Sequence, residues 1–75
     1  MFKYPRIDTV KTGARIRRLC KEQNLSVHEL QRLLYVGSNQ AVYNWFNGRS
    51  LPGLETFNAL ATLLGVTMDE LIVLK

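Results

Sequence analysis

Five side chains between Asn39 and Asn47 share one chemistry. Asn39, Gln40, Tyr43, Asn44 and Asn47 are amides and a phenol, and none is charged. Read as a helix, the segment places them on one side. Ala41, Val42 and Trp45 then form an apolar stripe at i, i+1, i+4 on the other. A solvated helix face usually carries Lys and Glu instead. An amide offers one donor and one acceptor side by side, so Asn or Gln can pair bidentately with adenine in a DNA major groove. The segment alone fits an ordinary polar helix face equally well, and the rest of the chain shifts the balance.

The elements holding such a face must come from 75 residues, enough for one small domain. The sequence is 47% hydrophobic, ample for a core, and 21% charged, a composition that argues against disorder. One cysteine permits no internal disulfide, and with one histidine it offers no zinc set. No metal or other cofactor, small-molecule ligand or catalytic residue is expected; no acid–base pair and no Gly-rich phosphate loop after a strand is present. No apolar run approaches the roughly 18 residues of a membrane span. The opening MFKYPRID lacks the apolar centre of a signal peptide. An intracellular location and a natural start at Met1 are therefore expected.

Net charge is +4 and unevenly spread. Residues 1–25 hold seven Lys and Arg against Asp8 and Glu22, a balance of +5, whereas residues 51–74 hold Glu55, Asp69 and Glu70 and no Lys or Arg, a balance of −3. One basic end and one acidic end suit a module that turns one face toward a polyanion. Solvation of a helix face explains the same charges.

In chain order, residues 1–8 read as an arm interrupted by Pro5, and residues 9–75 as the domain. Asp8 or Thr9 caps a first helix to about Gln23. Its inward side is Val10, Gly13 or Ala14, Ile16, Leu19 and Cys20, with Arg15, Arg17, Arg18 and Lys21 outward. Asn24 ends it. Ser26 and Glu29 form a capping box, with Leu25 and Leu30 as a hydrophobic staple, so a second helix spans about Val27 to Leu34 with Leu30, Leu33 and Leu34 inward. After Tyr35-Val36-Gly37, Ser38 caps the amide-bearing helix, and Gly48 closes it. A fourth helix follows from Leu54 to Leu64, with Leu54, Phe57, Leu60, Ala61 and Leu64 at the spacing of one inward face. Thr67 and Glu70 then form a second capping box for a short fifth helix. Nothing reads as a strand pair, so the class is all-α.

The motifs GARIRRL at 13–19, NLSVHEL at 24–30, SNQAVYNWFNG at 38–48 and SLPGLETFNALATLLGVTMDEL at 50–71 resemble the Cro and phage-repressor (XRE-like) type of helix-turn-helix domain. The resemblance covers most of residues 13–72. It implies a compact five-helix, lambda-repressor-like fold that binds double-stranded operator DNA, usually as a homodimer, with the helix of about 39–47 in the major groove. It implies a small repressor-like transcription regulator in a bacterial or phage-encoded, cytoplasmic, nucleoid-associated setting. Carried over by position, Ser38, Asn39, Gln40 and Asn44 are base contacts. Tyr43, Asn47, Arg49, Ser50 and Arg17 are assigned to the DNA backbone. Backbone N–H groups around Gly48, Arg49 and Ser50, and the start of the second helix, are phosphate clamps. Arg49 reads equally as a solvated loop residue.

Three positions depart from the family pattern. One extra residue separates Ser26 from Trp45, in the stretch Tyr35 to Ser38, where the family commonly has a glycine-led turn. Val27 stands where Gln is common, so only its backbone could meet a phosphate. Cys20 and Phe46 stand where an Arg and a Glu often pair, and these two hydrophobes are expected to touch. Replacing both members of a buried ion pair can be neutral, whereas replacing one costs about 3–5 kcal/mol. Trp45 and Cys20 read as core and His28 as surface. Ile72 and Leu74 serve either a dimer contact or the core. The rival function is a protein-interaction module, antitoxin-like or adaptor-like, with the same fold and no DNA reading.

Overall fold

Four of the five helices begin on a side-chain cap and the fourth in chain order begins at Gly53 without one, as the computed structural model, which describes all 75 residues, places them. Helix α1 is Thr9–Glu22, α2 is Val27–Leu33, α3 is Asn39–Phe46, α4 is Leu54–Leu64 and α5 is Met68–Leu71. Asp8 caps α1 by accepting from Lys11 N at 2.9 Å. Both capping boxes form: Ser26 with Glu29, and Thr67 with Glu70. Each satisfies two backbone donors that would otherwise lack a partner.

Four helices stop in the same way. At each end a residue with positive φ follows the last turn, and the next N–H folds back to a carbonyl five residues earlier. The bonds are Leu25 N to Cys20 O (2.9 Å), Val36 N to Gln31 O (3.0 Å), Arg49 N to Asn44 O (2.9 Å) and Val66 N to Ala61 O (3.0 Å). The positive-φ residues are Asn24, Tyr35, Gly48 and Gly65. Asn and Gly tolerate this conformation; a tyrosine there costs about 1–2 kcal/mol. The left-handed turn of the α2–α3 connection thus falls on Tyr35 and not on Gly37.

The core gathers Ile16 and Cys20 of α1, Leu30 of α2, Val42, Trp45 and Phe46 of α3, four residues of α4, and Leu71. Helix α3 packs on α1 and α2. Gly13 lets the α1 and α3 backbones meet, for a methyl group there would collide with the carbonyl oxygens of Trp45 and Phe46. Cys20 and Phe46 lie in this one cluster, and burial pushes the Cys20 thiol up to about 11, so it stays a neutral, apolar group.

Three residues expected to face inward, Val10, Leu33 and Leu54, are exposed. In α1, Thr12, two residues on from Val10 and so on the opposite side of the helix, is buried instead. Thr12 Oγ1 accepts from Val73 N at 3.0 Å, a bond 61 residues long in sequence that no helical wheel displays. Leu33 is exposed while Leu34 is half-buried, because α2 has only seven residues and turns one narrow stripe inward. Residues 6–8 of the arm are tied to the C-terminus by Asp8 N to Val73 O (2.7 Å) and Lys75 N to Arg6 O (2.9 Å), around a single antiparallel bridge between Ile7 and Leu74. Phe2 and Tyr4, beyond that clamp, stay exposed.

Candidate nucleic-acid interface

Helix α3 has Val42, Trp45 and Phe46 buried and leaves Asn39, Gln40, Tyr43 and Asn47 exposed, with Asn44 half-buried. Ser38 Oγ accepts from Ala41 N at 3.4 Å, which fixes the N-terminal tip. The hydroxyl proton of Ser38 remains available to a ligand. Gln40 Nε2 donates to Asn44 Oδ1 at 3.0 Å. This bond orders two flexible amides one turn apart before any ligand arrives. Gln40 keeps its Oε1 and a second N–H, the donor–acceptor pair that a bidentate base contact uses. Tyr43, about half exposed, stands edge-on to Phe46 with ring centroids 6.5 Å apart.

The basic residues of α1 divide into two groups. Arg17 and Lys21, four apart on one stripe, line a shallow groove of about 220 Å³ with Ser26, Val27 and Tyr43. Lys11, Arg15 and Arg18 line a different depression beside Val73. Arg15 Nη1 donates to Glu70 O at 2.9 Å, and Arg18 pairs with Glu22 at 3.6 Å. Arg15 thus ties α1 to α5, the Arg18 pair is an exposed one within α1, and Arg17 and Lys21 flank α3. Lys21 escapes the assignment by family position. Its i, i+4 spacing from Arg17 is the signal that finds it.

Of the two backbone phosphate clamps implied by the family pattern, the one that follows α3 is not free. The N–H groups of Gly48, Arg49 and Ser50 bond Trp45 O (3.2 Å), Asn44 O (2.9 Å) and Asn44 O (3.4 Å), so closing α3 consumes them. The side chains of Arg49 and Ser50 are exposed and unoccupied by these bonds. At the start of α2, Glu29 Oε1 accepts from Ser26 N at 3.0 Å. The bonds from the Ser26 backbone, then from its side chain, hold the Glu29 carboxyl below its ordinary value of 4.5. The capping box thus uses the N–H groups of Ser26 and Glu29 and leaves those of Val27 and His28 open at the tip of α2, beside Arg17 and Lys21.

A sequence model of the helix-turn-helix family matches residues 16–71. The chain belongs to the helix-turn-helix family. Among solved structures, this helix-turn-helix chain is similar to the restriction-modification controller protein C.AhdI from Aeromonas hydrophila. The two are 31% identical over 85% of this chain and 96% of that one, with a TM-score of 0.76. It shares its fold with the DNA-binding domain of BldD, at 23% identity, 87% and 93% coverage and a TM-score of 0.70. The S. venezulae BldD domain gives 23%, 87% and 96%, and 0.70. No match is found among curated protein sequences. No helix is long and apolar enough to cross a membrane.

Proposed function

We propose that this helix-turn-helix chain is a sequence-specific double-stranded DNA-binding protein, a small transcription regulator that seats α3 in the major groove. One observation carries the reading: the exposed face of α3 bears no charge and is ordered by the Gln40–Asn44 bond. Ser38, Asn39, Gln40 and Asn44 meet base edges. Tyr43, Asn47, Arg49, Ser50 and Arg17 meet sugar and phosphate, with Lys21 beside Arg17. Buried under them, Trp45 and Phe46 hold the face rigid. The protein acts by occupying DNA rather than by catalysis, in the cytoplasm of a bacterium or phage host.

A second copy completes the unit. Ile7, Leu54 and Leu74 are exposed apolar residues, and Ile7 and Leu54 edge a groove floored by Phe57 and Ile72. Two-fold contact through that face presents two α3 helices to paired half-sites.

Selection of duplexes from a random pool reads the site directly. Binding of the selected duplex falls steeply between about 50 and 200 mM salt. Gln40→Ala relaxes preference at one base pair, at a cost of about 1–3 kcal/mol on the preferred site alone. Arg49→Ala weakens every sequence alike and reduces the salt slope by about 0.9. Little binding at low salt marks a protein-interaction module instead.

A further inference from the structure

The turn between α2 and α3 holds an unusual residue in an unusual place. Tyr35 has φ 53 and is 95% exposed, so no packing compensates its left-handed backbone. The three other helix ends of this type use Asn24, Gly48 and Gly65. Val36, half-buried, plugs the inner side of the turn, and residues 37–40 are exposed without a break. The outer side of the turn therefore runs straight into the tip of α3.

Reach sets what Tyr35 can touch. Three residues span at most ~11 Å, so Tyr35 lies within that distance of Ser38. A major groove is about 12 Å wide. With Ser38 at base edges, that span is long enough to carry Tyr35 to the groove wall, which is sugar and phosphate. A tyrosine suits that wall: a flat apolar body for deoxyribose and a hydroxyl that donates to a phosphate oxygen.

We propose that Tyr35 is a DNA-backbone contact that sets the register of α3 in the groove. The proposal rests on the DNA-reading function above. Tyr35→Gly relieves the turn and removes the ring. Tyr35→Asn places at α2 the residue type that α1 uses at Asn24, and so controls for glycine flexibility. Tyr35→Phe removes only the hydroxyl. Each is compared with wild type by thermal unfolding and by titration of the duplex that wild type selects.

Tyr35→Gly and Tyr35→Asn are expected to raise Tm and yet weaken binding roughly fivefold to tenfold, the scale of one hydrogen bond with some apolar contact. Tyr35→Phe weakens it less. The loss is the same for every sequence and leaves the salt slope unchanged, because a neutral phenol releases no counterion. Unchanged or tighter binding by both Tyr35→Gly and Tyr35→Asn overturns the proposal, and a lowered Tm overturns its premise of strain. If wild type binds no duplex at about 50 mM salt, the DNA-reading function itself fails, and the contact with it.

Discussion

Helix α3 lies between two left-handed residues, Tyr35 before it and Gly48 after it, and they answer to different demands. At Gly48 a side chain is excluded twice. Its φ is +76, and a methyl group would come within 2.6 Å of Val10 Cα and 2.8 Å of Val10 N. The end of α3 is thus pressed onto the start of α1. At Tyr35 only the backbone conformation objects, and the side chain stands in open solvent. The exit of α3 is built to dock the helix, and its approach is built to present something. Gly65 calibrates the pair: its φ is +74, but nothing lies within 4 Å of the position a methyl would take.

Substitutions at these three positions separate conformation from contact. Gly48→Ala combines left-handed strain with overpacking against Val10 and is expected to cost about 3 kcal/mol, read as a shift of the denaturant midpoint. Gly65→Ala, with strain alone, costs about 1 kcal/mol. Equal losses at the two glycines would remove the Val10 contact from the explanation. Tyr35→Gly moves the other way, gaining about 1 kcal/mol as strain is relieved. A loss there would erase the contrast between approach and exit.

The smallest effect tests the helix starts rather than the stops. Glu29 and Glu70 are held below the ordinary carboxylate value by bonds from the Ser26 and Thr67 backbones, then from their side chains. A depressed folded pKa gives stability that is present above 4.5 and lost as pH falls through the depressed value. Glu29→Ala is therefore expected to be less stable than wild type at pH 7, with the gap closing below pH 4.5. A gap independent of pH would mean that the carboxylate contributes nothing through its charge.

Much of the fold was legible because its signals are short. Both capping boxes join residues three apart, and the cap of α3 by Ser38 does the same. The apolar stripe of Ala41, Val42 and Trp45 likewise predicted which side of α3 turns inward. Val10, Leu33 and Leu54 are exposed despite their helical spacing because periodicity gives the direction of a face but not how far neighbours cover it. The free backbone donors expected at Gly48, Arg49 and Ser50 vanished for another reason. The same glycine that marks the stop also turns those N–H groups back into the helix.

The amino-acid order alone determined the uncharged chemistry of α3, the number of helices and most of their starts and stops, since a cap depends on bonds across five residues or fewer; the stop of α2 at Tyr35 is the exception. Only the packed chain decided which arginines are free. Arg17 and Lys21 flank α3, while Arg15 is drawn to Glu70 O across 55 residues. It also decided that Thr12 joins the core, by binding Val73 N. Those outcomes depend on which surfaces meet after the helices dock, and burial of the shared apolar core sets that arrangement.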